Sequence, residues 1–159
     1  MTLRLHVNLP DMRAGAARRW RDAGLPRAPE LRRLLRAAAG AALRDQEVTR
    51  AELSLTLLDD HAMRALNRDY LQRDRPTDVI AFSLGDGDHD APFGDVYLGV
   101  ERALAQAAEL DVPPGEELVR LAVHGTLHVL GHDHPEDDSR VRSPMWRAQE
   151  RIVRRVLSG

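Results

Sequence analysis

The stretch GEELVRLAVHGTLHVLGHDH, running from Gly115 to His134, decides how the rest of the chain is read. Leu118, Leu121, Ala122, Val123, Leu127, Val129 and Leu130 make its helical part apolar nearly all the way round. A helix of that kind belongs in the middle of a fold. Glu116 and Glu117 fall in its first turn, where carboxylates favour the helix dipole. His124 and His128 are four residues apart and stack on one face. Gly131 offers a left-handed helix end that needs no Cβ, and beyond it the chain can bring His134 back toward the pair. Three imidazoles converging with nothing obvious for a fourth position describe an open catalytic zinc site rather than a closed structural one. The bland alternative is a set of satisfied core histidines, and the third histidine at this spacing counts against it.

Working outward, Thr2 to Leu9 alternates Leu3, Leu5, Val7 and Leu9 with polar residues, which predicts a half-buried strand closed by Pro10. Residues 11–28 are arginine-rich and broken by Gly15, Gly24 and Pro26; they read as a surface insertion with a helical turn around Trp20. Pro29 to Asp45 repeats apolar residues at helical spacing. Glu52 to Leu58 alternates as a strand, and Asp59 or Asp60 can cap a helix reaching about Tyr70. Leu71 to Asp78 is a polar loop, Val79 to Leu84 a short buried strand, and Gly85 to Gly94 a glycine- and aspartate-rich loop. Asp95 to Val100 is a strand, Glu101 to Leu110 a helix, and Asp138 to Leu157 a final helix interrupted early by Pro144. This order predicts one α+β domain over residues 1–159, with about four strands in mixed pairing and five helices.

Composition narrows the chemistry. The 159 residues contain no cysteine, so disulfides and zinc–thiolate sites are excluded and a metal must be held by His, Asp or Glu. No apolar run is long enough to span a bilayer, and the N-terminus lacks a signal-peptide pattern, so the expected location is cytoplasmic. Net charge is −2, which does not announce a nucleic-acid binder but leaves room for a basic groove beside an acidic back. His132, just past the presumed turn, reads as a rim residue or one that supports a ligand from behind. Asp133 either orients an imidazole or serves the turn itself.

The ligand and glycine positions match the metalloprotease signature HExxHxxGxxH, with one departure. Gly125 stands where those enzymes need a glutamate as general base, which argues against proteolysis. With Gly125 and Asp133-His134, the stretch instead resembles the YbeY family of endoribonucleases, whose signature reads HGxLHLxGyDH; His132 occupies the usual tyrosine position. Leu66-Asn67, Tyr70 and Asp74-Arg75-Pro76-Thr77-Asp78-Val79-Ile80-Ala81-Phe82-Ser83 resemble the family's LNxxYR…DKPTDVLSFP block. Gly94-Asp95-Val96 and the pair Met145, Glu150 match its remaining landmarks, so the resemblance runs from about Glu52 to Val156.

The resemblance implies a single-domain α+β metalloprotein with one zinc on His124, His128 and His134. It implies single-strand-specific RNA cleavage in 16S rRNA 3′-end maturation and ribosome quality control, with single-stranded rRNA and ribosomal particles as partners and no membrane. The family's arginine after the conserved tyrosine aligns with Leu71, so that role is not carried over. Arg73 and Arg75, in the same loop, are the candidate phosphate contacts in its place. The rival readings are a ribosome-assembly factor that binds RNA around a structural metal, and a hydrolase of peptides.

Overall fold

The computed structural model describes residues 1–13, 15–71, 77–85, 91–134 and 137–159. The expected Arg73 and Arg75 phosphate contacts lie outside the described residues.

Four strands form one sheet: β1 (Thr2–Asn8), β2 (Arg50–Leu58), β3 (Val79–Ser83) and β4 (Phe93–Gly99), in the order β1-β2-β4-β3. β1, β2 and β4 run parallel and β3 pairs antiparallel with β4, so the pairing is mixed as expected. A parallel pair needs a long crossover, and helices α1 (Gly15–Asp22) and α2 (Ala28–Asp45) supply it between β1 and β2. Helix α3 (Asp60–Leu71) follows β2. Beyond β4 come α4 (Val100–Leu110), α5 (Pro114–Val129), a short 3-10 helix (Asp138–Arg142) and α6 (Pro144–Ser158).

The alternation in β2 decides which face of the sheet is dry. Ala51, Leu53, Leu55 and Leu57 are buried and point at the helices. On the opposite face Asn8 donates to Ser54 Oγ at 2.8 Å and Thr56 Oγ1 at 3.1 Å, a polar ladder running across two strands. Tyr70, Phe82 and Tyr97 meet edge-on beside it, with ring centroids 5.7 and 6.0 Å apart.

Helix α5 is the hub, as its all-round apolar sequence predicts: it packs on α2, α4, α6, β3 and β4. Pro114 opens it, where a missing N–H costs nothing. It lies unusually close to the sheet. A Cβ on Gly125 would sit 2.5 Å from Val96 Cγ1, and one on Gly94 would sit 2.7 Å from Val129 Cγ1. The glycine that argued against a protease at the sequence level is thus required by helix–sheet packing.

Residues 11–28 differ from the surface insertion expected of them. Helix α1 sits within this stretch, and Ala17, Trp20 and Leu25 are buried in the main core at 1%, 5% and 4% exposure. It brings the α-helices among the described residues to six, where about five were expected. Its arginines stay outside while three apolar positions anchor it, enough buried area to fix an eight-residue helix that would not be stable alone. Pro144 does not interrupt the last helix but begins it, capped by Ser143, whose Oγ accepts from Trp146 N–H. No helix of the described residues is long and apolar enough to cross a membrane.

Candidate metal centre

The end of α5 has the geometry its glycine announces. Gly131 has φ +95°, the His132 N–H donates to Leu127 C=O at 3.0 Å, and the Gly131 N–H donates to His128 C=O at 2.9 Å. These two bonds close the helix in the Schellman pattern. The reversal brings His134 back over the last turn, so its ring centroid lies 5.0 Å from that of His124 and 5.2 Å from that of His128. One nitrogen from each of the three rings falls within 4.8 Å of the others. The three histidines singled out by spacing are therefore brought together.

Hydrogen bonds on the far side of two rings fix which nitrogens face inward. His128 Nδ1 lies 2.9 Å from the His132 carbonyl, which can only accept, so that nitrogen carries the proton. His124 Nδ1 lies 2.6 Å from Gln149 Oε1. The Gln149 amide cannot be turned round without loss, because its Nε2 donates to Glu150 Oε2 at 3.1 Å. His124 is thus protonated on Nδ1 as well. Both rings present bare Nε2 lone pairs to each other, 3.0 Å apart. Two acceptors at that distance repel unless a cation lies against them.

A proton does not serve as that cation at neutral pH. Burial lowers the His124 pKa to about 4, the neighbouring His128 and His134 push the same way, and only the Gln149 bond opposes strongly. Burial also lowers His128, against the His132 carbonyl. Neutral imidazoles with Nδ1–H held by an amide or carbonyl are the form in which histidine binds metals. The residues present therefore fit a metal ion, with His124, His128 and His134 able to hold it.

Two neighbours are placed as follows. His132 points away, its Nε2 2.7 Å from Gln46 Oε1 on the end of α2, so only its backbone carbonyl serves the site. Asp133 Oδ1 accepts from the His134 N–H at 2.8 Å, which serves the turn.

Sequence reading missed the layer behind the rings. Arg120, one turn before His124, donates to Glu150 at 2.9 and 3.1 Å, to Glu117 at 2.8 Å and to Glu116 at 3.3 Å. A continuous chain of bonds therefore runs from Glu117 through Arg120, Glu150 and Gln149 to His124. The Gln149 signal was present: it stands four residues after Met145 and four before Val153, a polar residue at a core position of α6. Such a residue needs a partner.

The cluster opens into a groove of about 680 Å³ walled by Thr77–Val79, by Gln106 and Leu110 of α4, by α5, and by Arg140, Val141 and Trp146. Asp78 stands across it from His124, its Oδ2 accepting from Gln106 Nε2 at 3.0 Å.

Comparison with known proteins identifies the family. A family model described as "Endoribonuclease YbeY" matches residues 21–157. The chain is similar to the "Endoribonuclease YbeY" of Desulfitobacterium hafniense, 44% identical over 119 residues, covering 69% of this chain and 74% of the relative. It is 38% identical to that of Azorhizobium caulinodans over 138 residues, covering 85% and 83%. A solution structure from Thermotoga maritima superposes with a TM-score of 0.58 at 23% identity, covering 99% of this chain and 90% of that one, a likeness of fold. The resemblance carried by the histidine stretch thus extends over nearly the whole sequence, and the chain belongs to the YbeY family.

Proposed function

We propose that residues 1–159 act as one zinc-dependent endoribonuclease domain that cuts single-stranded RNA in the cytoplasm, in 16S rRNA 3′-end maturation and ribosome quality control. The observation that carries the metal is the pair of bare Nε2 atoms 3.0 Å apart, on two rings whose burial disfavours their protonation. The relatives' name, endoribonuclease, supports RNA as the substrate. With no cysteine in the chain and three histidines converging, zinc is the ion whose imidazole chemistry and open fourth position suit the site. Bound there, zinc would stabilise charge on a phosphoryl oxygen and acidify a water toward neutrality.

The chain's own groups do the remaining work. Gln149 and the His132 carbonyl orient the rings. Glu117 is committed to Arg120, and Glu109 stands on the exposed rim. Asp78 is the half-buried groove carboxylate without an ion pair among the described residues, and in this proposal it takes the proton of an attacking hydroxyl. Arg73 and Arg75, which precede Asp78 in the sequence, belong to the proposal as phosphate contacts.

Metal analysis joined to cleavage of a single-stranded rRNA fragment tests the reading. Purified protein should carry one zinc per chain, and His128→Ala should lose both metal and cleavage while staying folded. Folded wild-type protein that holds no metal would overturn the zinc site. If RNA is bound but cut at a rate that ignores metal content, the protein is a binding factor with a structural metal.

A further inference from the structure

The groove beside the histidines is a poor host for a polyanion unless one more cation serves it. Asp78, Glu109 and Glu117 line it, and Arg120 is surrounded by three carboxylates. Four of its five N–H donors are taken and three carboxylates outweigh its charge, so it offers a phosphate little. The other arginine on the wall is Arg140, in the short 3-10 helix between His134 and α6. It is exposed, and its guanidinium has no carboxylate partner among the described residues. Its backbone is fixed: the Arg140 N–H donates to Asp137 C=O at 3.1 Å, and its own carbonyl accepts from Ser143 N–H at 3.1 Å and Ser143 Oγ at 2.6 Å. Trp146 follows one turn into α6, half-buried, and its indole pairs with no other aromatic ring among the described residues. A smaller pocket joins both side chains directly to His124 and His134.

A guanidinium with no carboxylate partner among the described residues, beside a half-exposed indole, is the combination that holds one nucleotide of a single strand: phosphate on the cation, base on the ring. We propose that Arg140 and Trp146 form a nucleotide subsite next to the histidine cluster, Arg140 taking a backbone phosphate and Trp146 stacking a base of single-stranded RNA. The assignment rests on the endoribonuclease reading, and it adds a contact that is separate in sequence from Arg73 and Arg75.

The test measures binding of a short single-stranded RNA to metal-loaded protein as a function of salt, beside cleavage of the same RNA. Arg140→Gln should weaken binding several-fold and make the salt slope shallower by about 0.7, one phosphate contact on a single strand. Arg154→Gln, an exposed change elsewhere on α6, should do neither. RNA should quench part of the wild-type tryptophan emission. Trp146→Phe should abolish that quench while keeping most affinity, and Trp146→Leu should weaken binding about tenfold, the worth of one stacked base. Unchanged zinc content in each variant separates a lost subsite from a damaged metal site. If the wild type binds and cuts RNA yet Arg140→Gln keeps its affinity and slope, the subsite is wrong and the function stands. A wild type that neither binds nor cuts RNA overturns both.

Discussion

The two faces of α5 solve opposite problems. On one, Gly125 and Val129 press against β4, where even a methyl group on Gly125 would collide with Val96. On the other, Arg120, His124 and His128 follow one another at single-turn spacing; the first two are tied to Glu150 and Gln149 of α6, and the third to the His132 carbonyl just past the helix end. Packing on the first face is specified by what is left out, so no partner has to be chosen. The second face buries groups that cost several kcal/mol each unless satisfied, so it must recruit partners from distant residues. The contrast explains why the helix can hold three polar side chains and still be the hub of the core.

The largest expected effect lies in the ionic cluster. Arg120→Met would leave Glu117, whose side chain is 3% exposed, beside Glu116 and Glu150 with no cation. Burial already raises the Glu117 pKa, with Arg120 pulling against it. Removing one partner of a buried pair costs about 3–5 kcal/mol, so chemical denaturation should show a loss of that order. A variant as stable as the wild type would mean that the cluster is solvated and that the two faces are less different than they look.

The next effect is one of pH and concerns the metal-free protein. Folding lowers the His124 pKa from 6.5 to about 4. Between those values the unfolded chain binds a proton that the folded chain refuses, so stability falls as pH falls through this window. The full difference is about 3 kcal/mol, from roughly 1.4 kcal/mol per pH unit. Chelator-treated protein melted at pH 7 and at pH 4.5 should show the drop, and His124→Gln should remove most of it. A drop that survives this substitution would place the acid sensitivity elsewhere.

How much of this was legible in the sequence follows the same division. The position of α5, its glycine end and the meeting of His124, His128 and His134 are local in sequence, set by spacings of four and six residues and one left-handed glycine. Strand alternation likewise showed which face of β2 is buried. Residues 11–28 were misjudged because Ala17, Trp20 and Leu25 find their burial only against distant core residues, while the arginines between them dominate the composition. The pairing of His124 with Gln149 spans 25 residues. Its hydrogen-bond direction depends on Glu150 and, behind that, on Arg120, so no spacing rule could have supplied it.

Gln149→Leu probes that supporting layer with a smaller effect. It keeps the volume at a buried position and removes the acceptor that orients His124, so affinity for the metal should fall 10- to 100-fold, the usual cost of losing such a contact. Competition with a fluorescent chelator measures it. Affinity equal to wild type would show that His124 is positioned by packing alone, and the polar face would then resemble the apolar one.

The smallest effect expected is on the sheet-facing side, from Gly125→Ala. Two terms oppose each other there. Alanine favours a helix interior over glycine by roughly 1 kcal/mol. Its methyl group would arrive 2.5 Å from Val96 Cγ1 and 3.1 Å from Val79 Cγ2, in a region where Val96 is fully buried and has little room to turn. Overpacking of this kind costs about 1–3 kcal/mol, so the clash should win by a small margin and the melting temperature should fall by a few degrees. Val96→Ala carries its own cavity cost, but Gly125→Ala should cost less on that background than in the wild type, a coupling that two independent sites would not show. Metal content should stay unchanged, since the substitution faces away from the rings. If Gly125→Ala stabilises the protein, propensity rules this face and close helix–sheet approach is not why glycine stands there.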